Sequence, residues 1–273
     1  MSRINDLHTL DEQELSLHEP EPSKDAIATY NRVLLMQPDD YRVWNSRGYA
    51  LERTGHYEDA VASFEQAIAI QPAFSPAWQG KGIALAKLTR YEDALVSFNQ
   101  ALKLQPGDYR AWQNQGKVLL SLGQHNDAIA SFDRVLKLKP NSYKAWYNRA
   151  VALACLNRLK GAIASLDHTL RIKPTCYYAW SYRGMVLAKQ QQFTEALANL
   201  DQSLQIRINN PNAWYGKACC YALQGKVEET LEALERAIVF SPNLCRVMAN
   251  SDPSFNRVRN DARFQALIQH STM

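Results

Sequence analysis

The stretch WQGKGIALAKLTRYEDALVSFNQALKLQP, residues 78 to 106, is one copy of a pattern that fills most of this 273-residue chain. Its tryptophan recurs at a fixed spacing. The chain has six tryptophans, and the same interval separates all neighbours: Trp44, Trp78, Trp112, Trp146, Trp180 and Trp214. A fixed period of this length is typical of one supersecondary unit copied end to end, in which each copy covers an apolar face of the next.

A 34-residue frame with tryptophan at position 4 divides the chain into six repeats: 41–74, 75–108, 109–142, 143–176, 177–210 and 211–244. Positions 4, 8 and 11 carry Trp, a small residue and an apolar residue, which is the spacing of one helix face. Positions 20, 21, 24, 27 and 28 form a second apolar stripe. Because a polar turn, often with Gly, separates the stripes and Pro usually follows the second, each repeat is predicted to be a pair of helices. The tryptophans are predicted to pack in the core.

This pattern resembles the tetratricopeptide repeat (TPR), whose signature is W-x2-L-G-x2-Y followed by A, F, A and P over about 34 residues. The first repeat reads WNSRGYAL and then YEDAVASFEQAIAIQP, and the match runs through residues 41–244. The resemblance implies an all-α fold, a right-handed α-solenoid (TPR superhelix) of antiparallel helix pairs. It also implies that a partner polypeptide is held in a concave groove.

The two ends depart from the period. Residues 1–40 are predicted to form a degenerate N-terminal capping repeat, in which 23–38 fit a second helix and TLDEQELSL supplies a poor first helix. Residues 245–273 are predicted to form C-terminal capping helices, with Phe255, Val258, Phe264, Leu267 and Ile268 facing inward. This stretch resembles the tail that closes many bacterial TPR proteins. A detachable partner-binding motif is the alternative.

Position 7 departs from the leucine usual in the family, since it is occupied by Arg47, Lys81, Gln115, Arg149, Arg183 and Lys217. Position 25, on the second helix, is acidic in five of the six repeats. An antiparallel pair should bring the two positions level, with the long basic side chains packed on apolar neighbours. We therefore predict a ladder of ion pairs within repeats: Arg47–Glu65, Arg149–Asp167, Arg183–Asp201 and Lys217–Glu235.

Partner-binding residues are implied by the resemblance, because the family contacts ligands mainly through positions 2, 5, 9, 12 and 13 of the first helix. Carried onto this sequence, these positions give the predicted groove residues Arg42, Asn45, Tyr49, Arg53, Gln79, Lys87, Arg110, Gln113, Lys117, Lys144, Tyr147, Tyr178, Ser181, Met185, Lys189, Asn212 and Tyr215. Together with Glu52, Ile83, Val151 and Cys219 at the same positions, they include seven cations and one anion, although the whole chain has a net charge of only +4. The groove is therefore expected to take an acidic or extended peptide, with cations that steer it and tyrosines that anchor it.

Catalytic and metal-binding patterns are absent from the sequence. The six histidines are scattered, there is no Gly-rich phosphate loop and no GxSxG, and no stretch is long and apolar enough to span a bilayer. Five cysteines without a CxxC motif favour a reducing, cytoplasmic setting. Cys155, Cys176 and Cys219 are expected near one another on the groove side, which leaves a redox role open.

The sequence thus predicts a non-enzymatic scaffold or adaptor that uses no cofactor or metal and supports assembly of a larger complex. Two other functions remain open. Basic residues interleaved with tyrosines are also suited to single-stranded nucleic acid, although that partner is less favoured. The other alternative is a regulatory subunit of a separate enzyme. Neither the partner's identity nor the oligomeric state follows from these residues.

Overall fold

The computed structural model describes residues 24–269, and within that range it contains helices and no strand. Every repeat forms two helices, and the expected all-α fold of helix pairs is confirmed. The first helices are Tyr41–Arg53, Ser75–Lys87, Tyr109–Ser121, Tyr143–Cys155, Tyr177–Lys189 and Pro211–Leu223. The second helices are Tyr57–Ile70, Tyr91–Leu104, His125–Leu138, Leu159–Ile172, Phe193–Ile206 and Val227–Phe240.

The two helices of a repeat meet through a small residue at position 8 and a large one at position 24. In repeat 3, a Cβ added to Gly116 would lie 2.6 Å from Cε1 of Phe132. The corresponding distance in repeat 2, from Gly82 to Phe98, is 2.8 Å. Both phenylalanines are fully buried. The ring therefore occupies the space that a side chain at position 8 would need, which explains the small residue there.

Between the paired helices, position 15 has a positive φ in every repeat. Glycine occupies it in three turns, at Gly55, Gly123 and Gly225. The other three turns hold Thr89, Asn157 and Gln191, with φ of 60°, 57° and 60°. Since a Cβ disfavours this left-handed conformation, the turn geometry is imposed on those three residues by the packing of the helices.

The tryptophans are predicted to lie inside the core, but the structure places them at its edge. All six are half-buried, and each indole N–H donates a hydrogen bond to the carbonyl six residues earlier, at 2.7 to 2.9 Å. In repeat 3, for example, Trp112 Nε1 donates to the Pro106 carbonyl in the preceding loop. Because that carbonyl lies beyond the end of a helix, it has no partner in a helical ladder. The tryptophan packs its ring at the junction between repeats, and its N–H supplies a hydrogen bond to the loop carbonyl.

The predicted ladder between positions 7 and 25 exists, but its register is wrong by one repeat. The salt bridges that form join position 7 to position 25 of the preceding repeat, at 2.7 or 2.8 Å: Lys81–Glu65, Arg149–Asp133, Arg183–Asp167 and Lys217–Asp201. Two further rungs are hydrogen bonds to an amide oxygen, Arg47 to Asn31 and Gln115 to Asn99. The predicted pairs Arg47–Glu65, Arg149–Asp167, Arg183–Asp201 and Lys217–Glu235 are replaced by these contacts.

The register follows from how a first helix packs. Position 8 faces the second helix of its own repeat, so position 7, about 100° around the helix, lies nearer the second helix of the repeat before. Its side chain also reaches its own repeat, as in the contact of Arg183 with Glu195 at 2.8 Å. In repeats 1, 2, 4 and 6 the cation at position 7 also lies over the tryptophan ring of its own helix. In repeat 6, Lys217 Nζ lies 5.4 Å from the Trp214 ring centroid. The ladder therefore ties neighbouring repeats to each other.

The described residues divide into two compact units, with the boundary between Ala152 and Leu153. In the unit before this boundary, the helix Lys24–Met36 packs against the first helix of repeat 1. Ala26, Tyr30 and Val33 on this helix are partly exposed, whereas the equivalent side chains of repeat 1 are fully buried. The first helix predicted for the degenerate repeat, TLDEQELSL, lies outside the described residues.

The unit after the boundary ends in the helix Pro242–Ser251, the short 3₁₀ helix Pro253–Phe255 and the helix Ala262–Gln269. Phe255, Val258 and Phe264 are buried in one cluster with the helices of repeat 6, and Leu267 and Ile268 are partly buried against it. The rings of Phe255 and Phe264 lie 5.3 Å apart. This inward packing of the apolar side chains is what the sequence pattern predicts for residues that cover the end of the array.

Candidate functional site

The predicted groove residues fall into two groups by accessibility. Solvent reaches twelve of them to some degree: Arg42, Asn45, Tyr49, Arg53, Gln79, Lys87, Arg110, Gln113, Lys117, Lys144, Met185 and Lys189. The other five are buried: Tyr147, Tyr178, Ser181, Asn212 and Tyr215. The accessible residues come mainly from repeats 1 to 4.

Three of the accessible residues line a cavity of about 480 Å³ at the junction of repeats 3 and 4. Arg110 and Gln113 come from the first helix of repeat 3, and Lys144 comes from the first turn of the next first helix. The remaining lining residues are Tyr109, Asn114, Lys139, Asn141, Ser142 and Tyr143. We call this the Arg110 cavity. Among the residues that the structure describes, its walls carry three cations and no carboxylate.

Two cations of the cavity flank the phenol of Tyr109. Arg110 donates to the Tyr109 hydroxyl at 3.4 Å, and Lys139 Nζ lies 4.8 Å from the ring centroid. The hydrogen bond from Arg110 and the nearby charge of Lys139 lower the pKa of the phenol below its usual range. Positive charge is thus concentrated at this wall, and amide groups of Gln113, Asn114 and Asn141 add neutral donors nearby.

The cavity is built by local capping and by the loop between repeats. Asp108 caps the first helix of repeat 3 and accepts from the backbone N–H of Arg110 at 2.8 Å. Ser142 does the same for the next first helix, accepting from the Ala145 N–H at 3.3 Å. These caps bring the first turns of both helices, with Arg110 and Lys144, to the two sides of one opening.

Sequence reasoning missed Lys139, Asn114 and Asn141, because it carried over selected first-helix positions of the family only. Lys139 and Asn141 are at positions 31 and 33, in the loop between repeats. The sequence did contain a pattern that points to Lys139. Position 31 is also basic in repeats 4 and 5, and Arg207 donates to the Tyr177 hydroxyl at 2.6 Å, which parallels the contact of Lys139 with Tyr109.

Tyr49 and Glu52 lie on the first helix of repeat 1 and are substantially buried. Tyr49 donates to the Pro76 carbonyl at 3.0 Å, and burial with the help of nearby Asp108 raises its pKa to about 12. Burial also raises the pKa of Glu52, although Lys87 and Arg53 oppose the shift. The single anion among the predicted groove positions therefore lies close to two cations.

In repeat 6 the corresponding surface is covered by the C-terminal segment. The Tyr215 hydroxyl donates to Asp252 Oδ2 at 3.0 Å, and its ring lies 5.7 Å from that of Phe255. The Cys219 thiol lies 3.7 Å from the same carboxylate oxygen. Burial raises the pKa of the Tyr215 phenol and of the Cys219 thiol. These two side chains of the predicted groove are thus engaged within the chain.

None of the five cysteines forms a disulfide bond. Cys220 and Cys245 are buried, and burial raises the pKa of each thiol to about 12. Such thiols are poor nucleophiles at neutral pH. Among residues 24–269 no cluster of His, Cys, Asp or Glu has the arrangement of a metal site, and no helix in that range is long and apolar enough to cross a membrane.

Family models match most of the chain. Two models described as tetratricopeptide repeat match it, one over residues 80–143, 114–175 and 182–244 and the other over residues 14–77. No match to a curated protein was found.

Solved structures of similar fold include a tetratricopeptide repeat protein from Parabacteroides merdae, with a TM-score of 0.65, 15% identity, and coverage of 82% of this chain and 91% of that one. YrrB, described as a TPR protein with an unusual peptide-binding site, has a TM-score of 0.54 and 23% identity over 67% of this chain and 95% of its own. PilF of Pseudomonas aeruginosa has a TM-score of 0.63 and 14% identity over 74% and 92%. Identities this low show the fold alone. The family models, which match most of the chain, establish that it belongs to the tetratricopeptide repeat family of protein-interaction scaffolds.

Proposed function

We propose that this chain is a non-enzymatic scaffold that binds an acidic, extended segment of a partner polypeptide at the Arg110 cavity and so supports assembly of a larger complex in the cytoplasm. The observation that carries the proposal is the composition of that cavity. Arg110, Lys139 and Lys144 supply three cations from two repeats, and none of the described residues that line the opening is a carboxylate. Side chains of this kind recognise carboxylates by charge and by N–H donation.

Size and surroundings support a peptide ligand. The cavity has a volume of about 480 Å³. Such a volume accommodates a few side chains of an extended peptide rather than a folded domain. Tyr109 and Tyr143 line the cavity beside the cations, so an acidic residue and an apolar neighbour could be bound together. The accessible Arg42, Lys87 and Lys117 extend the same sign of charge to the first helices of repeats 1 to 3, which favours electrostatic steering.

The test is direct binding of a fluorescein-labelled hexaglutamate peptide, followed by fluorescence polarisation at about 50 mM salt, where screening is weak. The cavity variant is Arg110→Gln with Lys139→Gln and Lys144→Gln. The control is Lys103→Gln with Lys137→Gln and Lys160→Gln, which removes the same charge from exposed second-helix positions. Since each of three exposed ion pairs contributes about 0.5 kcal/mol, the cavity variant should bind about tenfold more weakly.

Equal affinity in the cavity and control variants would overturn the proposed site, because it would show that only net charge matters. A labelled single-stranded RNA of matched charge is titrated in parallel. Tighter binding of the RNA, with loss in the cavity variant, would assign the cavity to nucleic acid instead. Circular dichroism of each variant verifies that helicity is retained.

A further inference from the structure

The charge of the Arg110 cavity is not a general property of the repeat. Its three cations occupy positions 2 and 31 of repeat 3 and position 2 of repeat 4. At the junction of repeats 1 and 2, the same three positions hold Arg42, Gln71 and Pro76, of which only the first is charged. The packing that these junctions share does not require three cations, so the cluster points to a ligand.

The three cations reach the opening from three separate elements. Arg110 and Lys144 lie in the first turns of two first helices, and Lys139 lies in the loop between them. A single bound group can therefore be contacted from several sides. A carboxylate is planar and carries one charge, and one guanidinium can donate to both of its oxygens. Two ammonium groups would then remain without an anion among the described lining residues.

A phosphate monoester fits this arrangement better than a carboxylate does. It carries close to two charges at neutral pH and has three terminal oxygens that accept hydrogen bonds. At a given distance, a cation attracts a dianion about twice as strongly as a single charge. Amide groups of Gln113, Asn114 and Asn141 supply further N–H donors at the same opening. The lining thus matches a group with more charge and more oxygens than a carboxylate.

The helix Tyr143–Cys155 adds positive potential, because its N-terminus lies at the opening. Ser142 and Lys144 line the cavity, and the neutral Ser142 hydroxyl accepts from the Ala145 N–H at 3.3 Å. The preceding first helix differs, since the carboxylate of Asp108 caps it. Phosphate groups bind well near a helix N-terminus because the first N–H groups carry partial positive charge. The neutral cap leaves this contribution to the cavity intact.

We propose that the Arg110 cavity binds a phosphate monoester on an extended peptide, namely a phosphorylated serine, threonine or tyrosine side chain of the partner. The inference rests on the proposed function, since it names the acidic group that the same cavity takes. Arg110 donates to two phosphate oxygens, and Lys139 and Lys144 contact the phosphate from the loop and the next helix. Phosphorylation of the partner therefore strengthens its binding, and removal of the phosphate releases it.

The test compares three fluorescein-labelled hexapeptides, otherwise uncharged, that carry serine, phosphoserine or glutamate at one position. At about pH 7.5 and about 50 mM salt, the phosphoserine peptide should bind about tenfold more tightly than the glutamate peptide, because it offers a second charge and a third oxygen. The serine peptide should bind more weakly than both. The cavity variant should lose the preference for phosphoserine, whereas the control variant with Lys103, Lys137 and Lys160 replaced should keep it.

A second measurement uses pH, because the second pKa of phosphoserine is about 6. Lowering the pH from about 7.5 to about 5.5 reduces the dianion to a minor form, so the phosphoserine peptide should bind about fourfold more weakly. Glutamate, with an ordinary pKa of about 4.3, stays ionised over this range. The charged lining residues are Arg110, Lys139 and Lys144, and no histidine is found among the described residues of the cavity wall. The loss is therefore assigned to the ligand.

Each other outcome overturns a specific claim. If the phosphoserine and glutamate peptides bind equally and the cavity variant weakens both, the phosphate inference is wrong and the proposed function stands. If the cavity variant binds hexaglutamate as tightly as the control variant does, both proposals fail. A preference for phosphoserine that survives in the cavity variant would place the site elsewhere. A single-stranded RNA with a terminal phosphate that binds more tightly than the phosphoserine peptide, and only with the cavity intact, would assign the phosphate to nucleic acid.

Discussion

The backbone of Gly116 approaches the ring of Phe132 so closely that a Cβ on the glycine would lie 2.6 Å from Cε1. Repeat 6 carries a different pair at these two positions, Ala218 and Leu234, both fully buried in one hydrophobic cluster. Repeats 1 to 3 thus pair glycine with phenylalanine and repeats 4 and 6 pair alanine with leucine, whereas repeat 5 pairs Gly184 with Leu200. The six repeats therefore show which pairs of residues pack together at positions 8 and 24.

Gly116→Ala is therefore expected to destabilise the protein by about 1–3 kcal/mol, because the buried ring must move. Adding Phe132→Leu, which recreates the combination of repeat 6, should recover part of that loss. The measurement is the urea midpoint by circular dichroism. Gly107→Ala is the control, since nothing lies within 4 Å of a Cβ there, and its midpoint should be nearly unchanged. A double variant no more stable than Gly116→Ala would contradict the size-matching argument.

Thr89→Gly is expected to stabilise the protein by about 1 kcal/mol, since a β-branched residue disfavours the left-handed conformation of this turn. Thr89 is held there at a φ of 60°. The gain should be visible as a higher midpoint of thermal or urea unfolding. The reverse change, Gly123→Thr at a φ of 71°, should cost a similar amount. Destabilisation by Thr89→Gly would show that the threonine side chain contributes more than its backbone conformation costs.

Trp112→Phe should lower stability by about 1 kcal/mol, because it removes one hydrogen bond to a carbonyl while keeping an aromatic ring. The lost bond is the 2.9 Å contact to Pro106. Truncation of the buried Phe98 to Ala should cost more, about 3–5 kcal/mol. The measurement for both is the free energy of unfolding in urea. Equal losses in the two variants would mean that the tryptophan is as deeply packed as the phenylalanine.

A double-mutant cycle on Lys217→Met and Asp201→Asn should give a coupling energy of about 0.5 kcal/mol. The value is modest because Asp201 is half exposed. The coupling should shrink as salt is raised. The matched cycle on Lys217→Met and Glu235→Gln tests the pairing within one repeat and should give no coupling. Coupling to Glu235 instead of Asp201 would contradict the observed register.

Much of the fold could be predicted from sequence, because the apolar residues on a helix face recur at fixed spacings. The period of the tryptophans and the apolar stripes place every helix of repeats 1 to 6 correctly. The register of the ladder could not be predicted in the same way. A contact from position 7 to position 25 recurs with the same period whether it points to its own repeat or to the previous one, so the sequence of Lys217, Asp201 and Glu235 fits both.

The candidate site was less predictable, since its decisive features are not periodic. Tyr215 occupies a groove position, but Asp252 and Phe255 come from the C-terminal stretch, which breaks the period of the repeat. Lys139 lies in a loop, where side-chain placement depends on how two helices are capped. The tryptophans were misplaced for a different reason. A large apolar side chain with one N–H donor fits a helix stripe equally well whether it is enclosed or bridges a junction.

The ladder between adjacent repeats has a consequence for how such a chain can change length. If the segment 109–142 were deleted as a unit, Arg149 would meet Asn99, a donor facing an acceptor as before. Duplication of a whole repeat would likewise leave every residue at position 7 with a residue at position 25 to contact. Adding or removing an entire repeat would therefore keep this contact at each new junction.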